Sequence, residues 1–172
     1  MARFSGVDYL QIDSQLSEQE LMVRQAARQF VDEEVLPVVR EAYNRGEFPK
    51  HLIPQVGQMG FLGANLEGYG CAGMSNVEYG LIMQELERGD SGLRSFVSVQ
   101  GGLVMFPIHA YGSEEQKQYW LPKLQSGEAI GCFGLTEPDF GSNPGGMRTT
   151  GSTSSSTNWR ADCRTISSCS LN

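Results

Sequence analysis

The sequence predicts a mainly α-helical protein in which one strand-like segment follows the helices. Three helix starts, at Ser17, Ser75 and Ser113, carry capping boxes, in which a serine and a Glu or Gln three residues later satisfy backbone N–H groups reciprocally. Apolar residues recur near the helical period of 3.6, whereas residues 129–136 alternate with a period of two. Together these observations predict the fold class.

The helices can be assigned in chain order. Residues 17–41 form a long amphipathic helix that Pro37 is expected to bend or end. Residues 91–111, capped by Asp90 or Ser91, are unusually apolar, so we expect this helix to be buried on most sides. Other helices are predicted at residues 50–59, 75–88 and 113–125, and a glycine-rich loop at residues 63–73.

The last part of the chain changes character. Residues 129–136 are interpreted as one strand, and Pro138 ends it because proline cannot donate to a ladder. Residues 151–172 contain ten Ser or Thr among 22 residues and show no period, so we expect them to be irregular or disordered. Their composition also motivates the hypothesis of a shifted reading frame or truncated gene model, which the coding DNA past codon 150 would test.

Composition argues against several function classes. The 172 residues carry a formal net charge of −7, opposite to the basic footprint of a nucleic-acid-binding domain. No run approaches the roughly 20 apolar residues that span a bilayer, and the N-terminus resembles neither a signal nor a transit peptide. We therefore expect a cytoplasmic protein. Four cysteines and two histidines show no metal-ligand spacing, so no metal site is predicted.

Residues 131–143, GCFGLTEPDFGSN, combine small residues with hydrogen-bonding groups. Such a segment is able to receive a flat ring with polar edges, because glycines leave the backbone accessible and hydroxyls donate or accept. The residues concerned are Phe133, Gly134, Leu135, Thr136, Gly141 and Ser142. An ordinary buried strand followed by a Pro-Asp-Phe-Gly turn explains the same pattern, and the residues alone favour this second interpretation.

Arg94, Ser95 and Ser98 lie together near the start of the helix predicted at residues 91–111. A cation in a first helical turn opposes the helix dipole by a few tenths to about 1 kcal/mol, so a compensating anion is expected. One candidate is Asp90, in an exposed i,i+4 pair. The other is a ligand carboxylate held by the guanidinium fork, with Ser98 one turn further on the same face.

Residues 131–143 resemble the flavin-facing segment of acyl-CoA dehydrogenases, (F/Y)xxTEPxxGS(D/N), and the chain agrees with that family from about Asp13 onward. The resemblance implies FAD as cofactor, held by the six residues named above. It further implies that the Thr136 hydroxyl bonds the flavin and that Ser142 bonds the CoA part of the substrate. Asn143 stands where the family usually has Asp, which removes a charge but keeps the turn-forming oxygen.

Residues 85–116 are similar to the glutaryl-CoA dehydrogenase branch of that family. The resemblance implies that Arg94 and Ser98 hold the free carboxylate of the substrate, with Ser95 beside it. It implies α,β-dehydrogenation of glutaryl-CoA with decarboxylation to crotonyl-CoA, an electron-transferring flavoprotein as partner, and homotetramers among full-length relatives. An acyl-CoA dehydrogenase for a neutral acyl chain and a non-catalytic helical interaction module are the alternatives.

No catalytic base is assigned within this chain. The resemblance implies that the α-proton is taken by a carboxylate from a C-terminal helical domain. Glu85 and Glu87 are interpreted as charges on a helix face, and Glu137 as a structural residue of the turn. We therefore expect the isolated chain to be inactive.

The resemblance divides the chain into three parts. Residues 1–128 form the N-terminal helical acyl-CoA dehydrogenase domain, residues 129–150 begin the middle β-domain, and residues 151–172 are the irregular Ser/Thr-rich tail. The predicted fold is thus the N-terminal all-helical domain of the acyl-CoA dehydrogenase fold plus the first strand of a truncated β-domain. A lone strand leaves ladder groups unpaired, so we expect the isolated chain to be poorly soluble or partly molten.

Overall fold

The computed structural model describes residues 9–134, 136 and 138–146. The helices are α1 (Glu18–Phe30), α2 (Leu36–Arg45), α3 (Leu52–Gln58), α4 (Asn76–Gly89), α5 (Ser91–Ser98), α6 (Phe106–Tyr111) and α7 (Glu114–Gln125). Short 3-10 turns lie at Ile12–Gln15 and Pro144–Gly146. The predicted mainly helical class is confirmed. Within these ranges, no helix combines the length and apolar character that crossing a bilayer requires.

All three predicted capping boxes are present. The hydroxyls of Ser17, Ser75 and Ser113 each accept a hydrogen bond from the backbone N–H three residues on, whose side chain in turn accepts from the serine N–H. These bonds satisfy donors that a helix start leaves unpaired, and each cap stabilises its helix by about 1 kcal/mol. The starts of α1, α4 and α7 are therefore encoded locally.

Two prolines that would otherwise break helices follow π-helical segments. Val31–Val35 joins α1 to α2 and precedes Pro37, which lies in the first turn of α2. Val99–Met105 joins α5 to α6 and precedes Pro107 in the same way. A π turn accommodates the missing N–H and the bulk of a proline ring. The helix predicted at residues 17–41 therefore does not end at Pro37. It continues through α1, the π-helical segment and α2 to Arg45.

The core is formed where the helices pack on one another. Helix α1 packs on α4, α4 packs on α5, and α6 packs on α7. Each fully buried aliphatic side chain contributes about 1.5–3 kcal/mol relative to an exposed one. The largest of them are Leu52, Leu62, Ile82, Leu86, Leu93, Met105, Ile108, Leu121 and Leu124. This packing fixes α5, on which the candidate site is built.

The strand predicted at residues 129–136 is not seen in the described part of that segment. Residues 129–134 and 136 have neither helix nor strand structure. A strand is defined by ladder hydrogen bonds to a neighbour, and the described residues give this segment no strand with which to pair. The predictions made for Leu135, Glu137 and residues 147–172 lie outside the described residues.

Candidate functional site

Arg94 lies in the first turn of α5, close to the junction with α4. Asp90 is the N-cap of α5, and its Oδ2 accepts a hydrogen bond from the Leu93 N–H at 2.6 Å. Because its carboxylate is used at the helix end, the exposed Asp90–Arg94 ion pair considered above is not formed. The prediction that Arg94 pairs with Asp90 was therefore wrong.

The acidic partner of Arg94 is Glu87, in the last turn of α4. Arg94 Nε donates to Glu87 Oε2 at 2.5 Å, and Ser91 Oγ donates to Glu87 Oε1 at 2.6 Å. The bonds from Ser91 and Arg94 lower the pKa of Glu87 below its ordinary value. An ionised carboxylate here offsets the unfavourable position of a cation near a helix N-terminus. The sequence analysis did not predict this pair, because Glu87 and Arg94 lie on two helices separated by the extended residue Asp90.

Ser98 adds a second contact to the guanidinium. Arg94 Nη1 donates to Ser98 Oγ at 3.4 Å, and the Ser98 hydroxyl donates to the Ser95 carbonyl at 3.0 Å. The Arg94 side chain is 35% exposed. Within the described residues its Nη2 has no hydrogen-bond partner, so the guanidinium keeps N–H donors for a further anion. We call Glu87, Ser91, Arg94 and Ser98 the Arg94 cluster.

Ser95 lines a mostly apolar cavity of about 430 Å³ next to the cluster. The wall is formed largely by Phe48, Ile53, Phe96, Val99 and Ile130, and Lys50, Gly92 and Gly131 also line it. Ser95 and the start of the segment 131–143 therefore border one space. Arg94 and Ser98 are not part of its lining.

The residues predicted to face a flat cofactor are exposed wherever they are described. These are Phe133, Gly134, Thr136, Gly141 and Ser142. A Cβ atom added at Gly134 or Gly141 would meet no atom within 4 Å, so the backbone at both positions is open to a ligand. Over the described part of the chain, no side-chain hydrogen bond joins these five residues to the Arg94 cluster.

Gln100 connects the helical core to this segment and was missed by the sequence reasoning. Its side chain is buried within Val99–Met105. Nε2 donates to the carbonyls of Leu124 at 3.0 Å and Ala129 at 2.8 Å, and Oε1 accepts from the Gly131 N–H at 2.9 Å. A long amide in an otherwise apolar helix was the available signal, because a buried amide must find hydrogen-bond partners.

Glu85 lies on a face of α4, as the helical period predicted, but its side chain is only 1% exposed because this face is covered. Arg28 and Arg88 bind it at 2.7 and 2.9 Å, and Arg88 also pairs with Asp32 at 2.7 Å. Burial acts most strongly and raises the pKa of Glu85, but the hydrogen bonds and charges of the two arginines outweigh it and lower the pKa overall. This carboxylate ties α1 to α4 and is poorly suited to accept a proton.

Residues 17–128 match the family model described as acyl-CoA dehydrogenase, N-terminal domain. This match spans well over half of the chain, and it agrees with the helical fold described above. The chain therefore belongs to the acyl-CoA dehydrogenase N-terminal domain family.

Three relatives illustrate the range of similarity. A glutaryl-CoA dehydrogenase from Mycobacterium smegmatis, solved in complex with FADH2, is 56% identical with a TM-score of 0.77, over 80% of this chain and 36% of that chain. The short-chain specific acyl-CoA dehydrogenase of Bos taurus mitochondria is 34% identical over 79% of this chain and 33% of its own length. A chain in the structure of the electron transferring flavoprotein of Acidaminococcus fermentans is 32% identical with a TM-score of 0.72, over 84% of this chain and 37% of that chain. The present chain thus spans about a third of the length of these relatives.

Proposed function

We propose that this chain is the N-terminal part of an FAD-dependent acyl-CoA dehydrogenase that acts on glutaryl-CoA. The reaction removes an α-proton and a β-hydride from the acyl thioester, and loss of CO2 then leaves crotonyl-CoA. The observation that carries the proposal is Arg94, which is held by Glu87 and Ser98 and keeps donors for another anion. Glutaryl-CoA differs from a fatty acyl-CoA by its terminal carboxylate, and a guanidinium fork matches that group.

The Arg94 cluster also distinguishes glutaryl-CoA from the alternative substrate, a neutral acyl-CoA. A hydrogen bond to a charged group is worth about 1.5–3 kcal/mol, which corresponds to roughly a tenfold to hundredfold preference for the carboxylated substrate. The similarity to a short-chain specific relative supports the neutral alternative. The higher identity to a glutaryl-CoA dehydrogenase and the Arg94 cluster together favour glutaryl-CoA.

We assign FAD binding to the segment from Phe133 to Ser142. Its described residues fit this role, since the backbone at Gly134 and Gly141 is unobstructed and Thr136 is exposed. When bound, FAD supplies an acceptor for the two electrons and the β-hydrogen. The chain's own part is to place backbone groups and the Thr136 hydroxyl along the edge of the ring, and Ser142 beside the CoA portion of the substrate.

The remaining parts of the proposal concern residues and partners outside the helical core. Residues 1–128 form the helical domain, 129–150 begin a middle β-domain, and 151–172 are an irregular tail. The catalytic base comes from a C-terminal domain of the complete enzyme, so the 172-residue chain does not turn over alone. An electron-transferring flavoprotein is the proposed electron acceptor, supported by the similarity to a chain in such a structure, and the complete enzyme is a homotetramer.

The test uses a chimera in which residues 1–146 replace the matching part of the Mycobacterium smegmatis enzyme. With FAD bound, we expect glutaryl-CoA to be converted to crotonyl-CoA and CO2 more efficiently than butyryl-CoA is oxidised. We expect no turnover by the 172-residue chain. A preference for butyryl-CoA would support the neutral alternative, and a chimera that loads FAD but oxidises neither thioester would contradict the proposal. Flavin reduction by the 172-residue chain alone would contradict the division into domains.

A further inference from the structure

We infer, on the basis of the proposed function, that Gln100 is a positioning residue that fixes where the FAD-binding segment leaves the helical core. Its amide uses both N–H donors and its oxygen at once. One donor bonds the Leu124 carbonyl near the end of α7. The second donor and the oxygen bond Ala129 and Gly131, on either side of Ile130. A single side chain therefore sets the path of the backbone as it enters the segment.

The burial of Gln100 makes this connection costly to break. Gln100 is about 1% exposed, so water does not reach its own amide if a partner is lost, whereas Ala129 and Gly131 are half-buried. An unsatisfied buried polar group costs about 1–3 kcal/mol, more than the net value of an average hydrogen bond. The carbonyl of Ala129 and the N–H of Gly131 would lose their partner together. The hydrogen bonds of Gln100 therefore favour one backbone position of residues 129–131 over other positions.

A second contact, with Val104, holds the backbone at Gly131. A Cβ atom added at Gly131 would lie 2.3 Å from Cγ1 of Val104, a distance that real Cβ atoms do not tolerate. Val104 belongs to Val99–Met105, as does Gln100. This π-helical segment continues directly from α5, which carries Ser95 and Ser98. The substrate-binding helix and the FAD-binding segment are therefore linked through the short segment Val99–Met105, in which Gln100 and Val104 are buried.

The first test measures hydrogen–deuterium exchange of the Gly131 amide in the chimera described above. Gln100→Met keeps the length of the side chain but removes all three bonds, and we expect exchange to become about tenfold faster. The matched control is Gln125→Met, because Gln125 Nε2 donates to the Gly57 carbonyl at 2.9 Å and does not touch the segment. Unchanged exchange at Gly131 in Gln100→Met would overturn the inference.

The second test separates positioning from general stability. In the chimera described above, Gln100→Met should weaken FAD binding about tenfold relative to Gln125→Met, at equal helical content by circular dichroism. Gly131→Ala should reproduce the effect with Gln100 intact, which covers the case in which Gln100→Met fails to fold. FAD affinity that stays unchanged while Gly131 loosens would overturn the positioning role. A parent chimera that binds no FAD would contradict the proposed function instead, and the exchange measurement would then decide the role of Gln100 by itself.

Discussion

Replacing Arg94 by glutamine is expected to lower kcat/KM for glutaryl-CoA about a hundredfold in the chimera and to leave that for butyryl-CoA nearly unchanged. Glutamine keeps a polar amide but loses the charge and the fork that would hold the substrate carboxylate. It also leaves Glu87 without its cation, so an acidic group then faces an anionic substrate. Steady-state kinetics with the two thioesters measure the change directly.

The control for this experiment is Arg45→Gln. Arg45 is also a partly exposed arginine that pairs with two carboxylates, Glu41 and Glu47, but it lies on α2. We expect this variant to keep the kinetics of the parent with both substrates. Equal losses with glutaryl-CoA and butyryl-CoA in Arg94→Gln would mean that Arg94 supports α5 rather than selecting the substrate. No loss with either would mean that another group binds the carboxylate.

The second large effect concerns the arginines around Glu85. Replacing Arg28 and Arg88 together by methionine is expected to lower the free energy of unfolding by about 3–5 kcal/mol. The double substitution leaves the Glu85 carboxylate, which is almost fully buried, without a cation between α1 and α4. Urea denaturation of the chimera, followed by helical circular dichroism, measures the loss. A double variant as stable as the parent would show that the ion pairs of Glu85 with Arg28 and Arg88 add nothing to stability.

Removing the acid should cost less than removing the two cations. In Glu85→Gln the arginines keep water as a partner, because their side chains are 53% and 39% exposed. Adding Glu85→Gln to the double methionine variant should therefore restore part of the lost stability. The pH dependence follows from the lowered pKa of Glu85. Its contribution is present above the ordinary pKa of a glutamate and is lost as the pH falls through the lowered value, so the Glu85→Gln variant should lack this acid-dependent loss.

The helix starts were predictable because their cause lies within four residues. A capping box needs a serine and an acid or amide three residues later, and the structure contains all three such boxes. The burial of Glu85 was not predicted, because its cause lies in a distant helix. The helical period places it on a face of α4, but only the packing of α1 shows that this face is covered. The partner of Arg94 was also missed, because Asp90 is nearer in sequence but is used as a cap.

The rest of the site depends on contacts between distant residues. The carbonyl and N–H groups that Gln100 binds lie 24 to 31 residues away, and no local pattern identifies them. Gly57 is a similar case, since a Cβ atom there would lie 2.7 Å from the Ser126 carbonyl oxygen. The segment after residue 129 differs again, because a strand needs a neighbouring strand, and residues 129–134 and 136 have no strand structure. Periodicity therefore predicted the helices but not what joins them to the site.

The most direct measurement of the central claim is the affinity of the chimera for FAD with and without the Thr136 hydroxyl. Thr136→Val keeps the shape of the side chain and removes one hydrogen bond, so the Kd for FAD should rise about fivefold to tenfold. Ser126→Ala is the control, because that hydroxyl donates to the Lys123 carbonyl at 3.1 Å within the helical domain. A chimera that cannot be loaded with FAD, or a Thr136→Val variant that binds FAD as tightly as its parent, would contradict the claim that residues from Phe133 to Ser142 lie along the flavin.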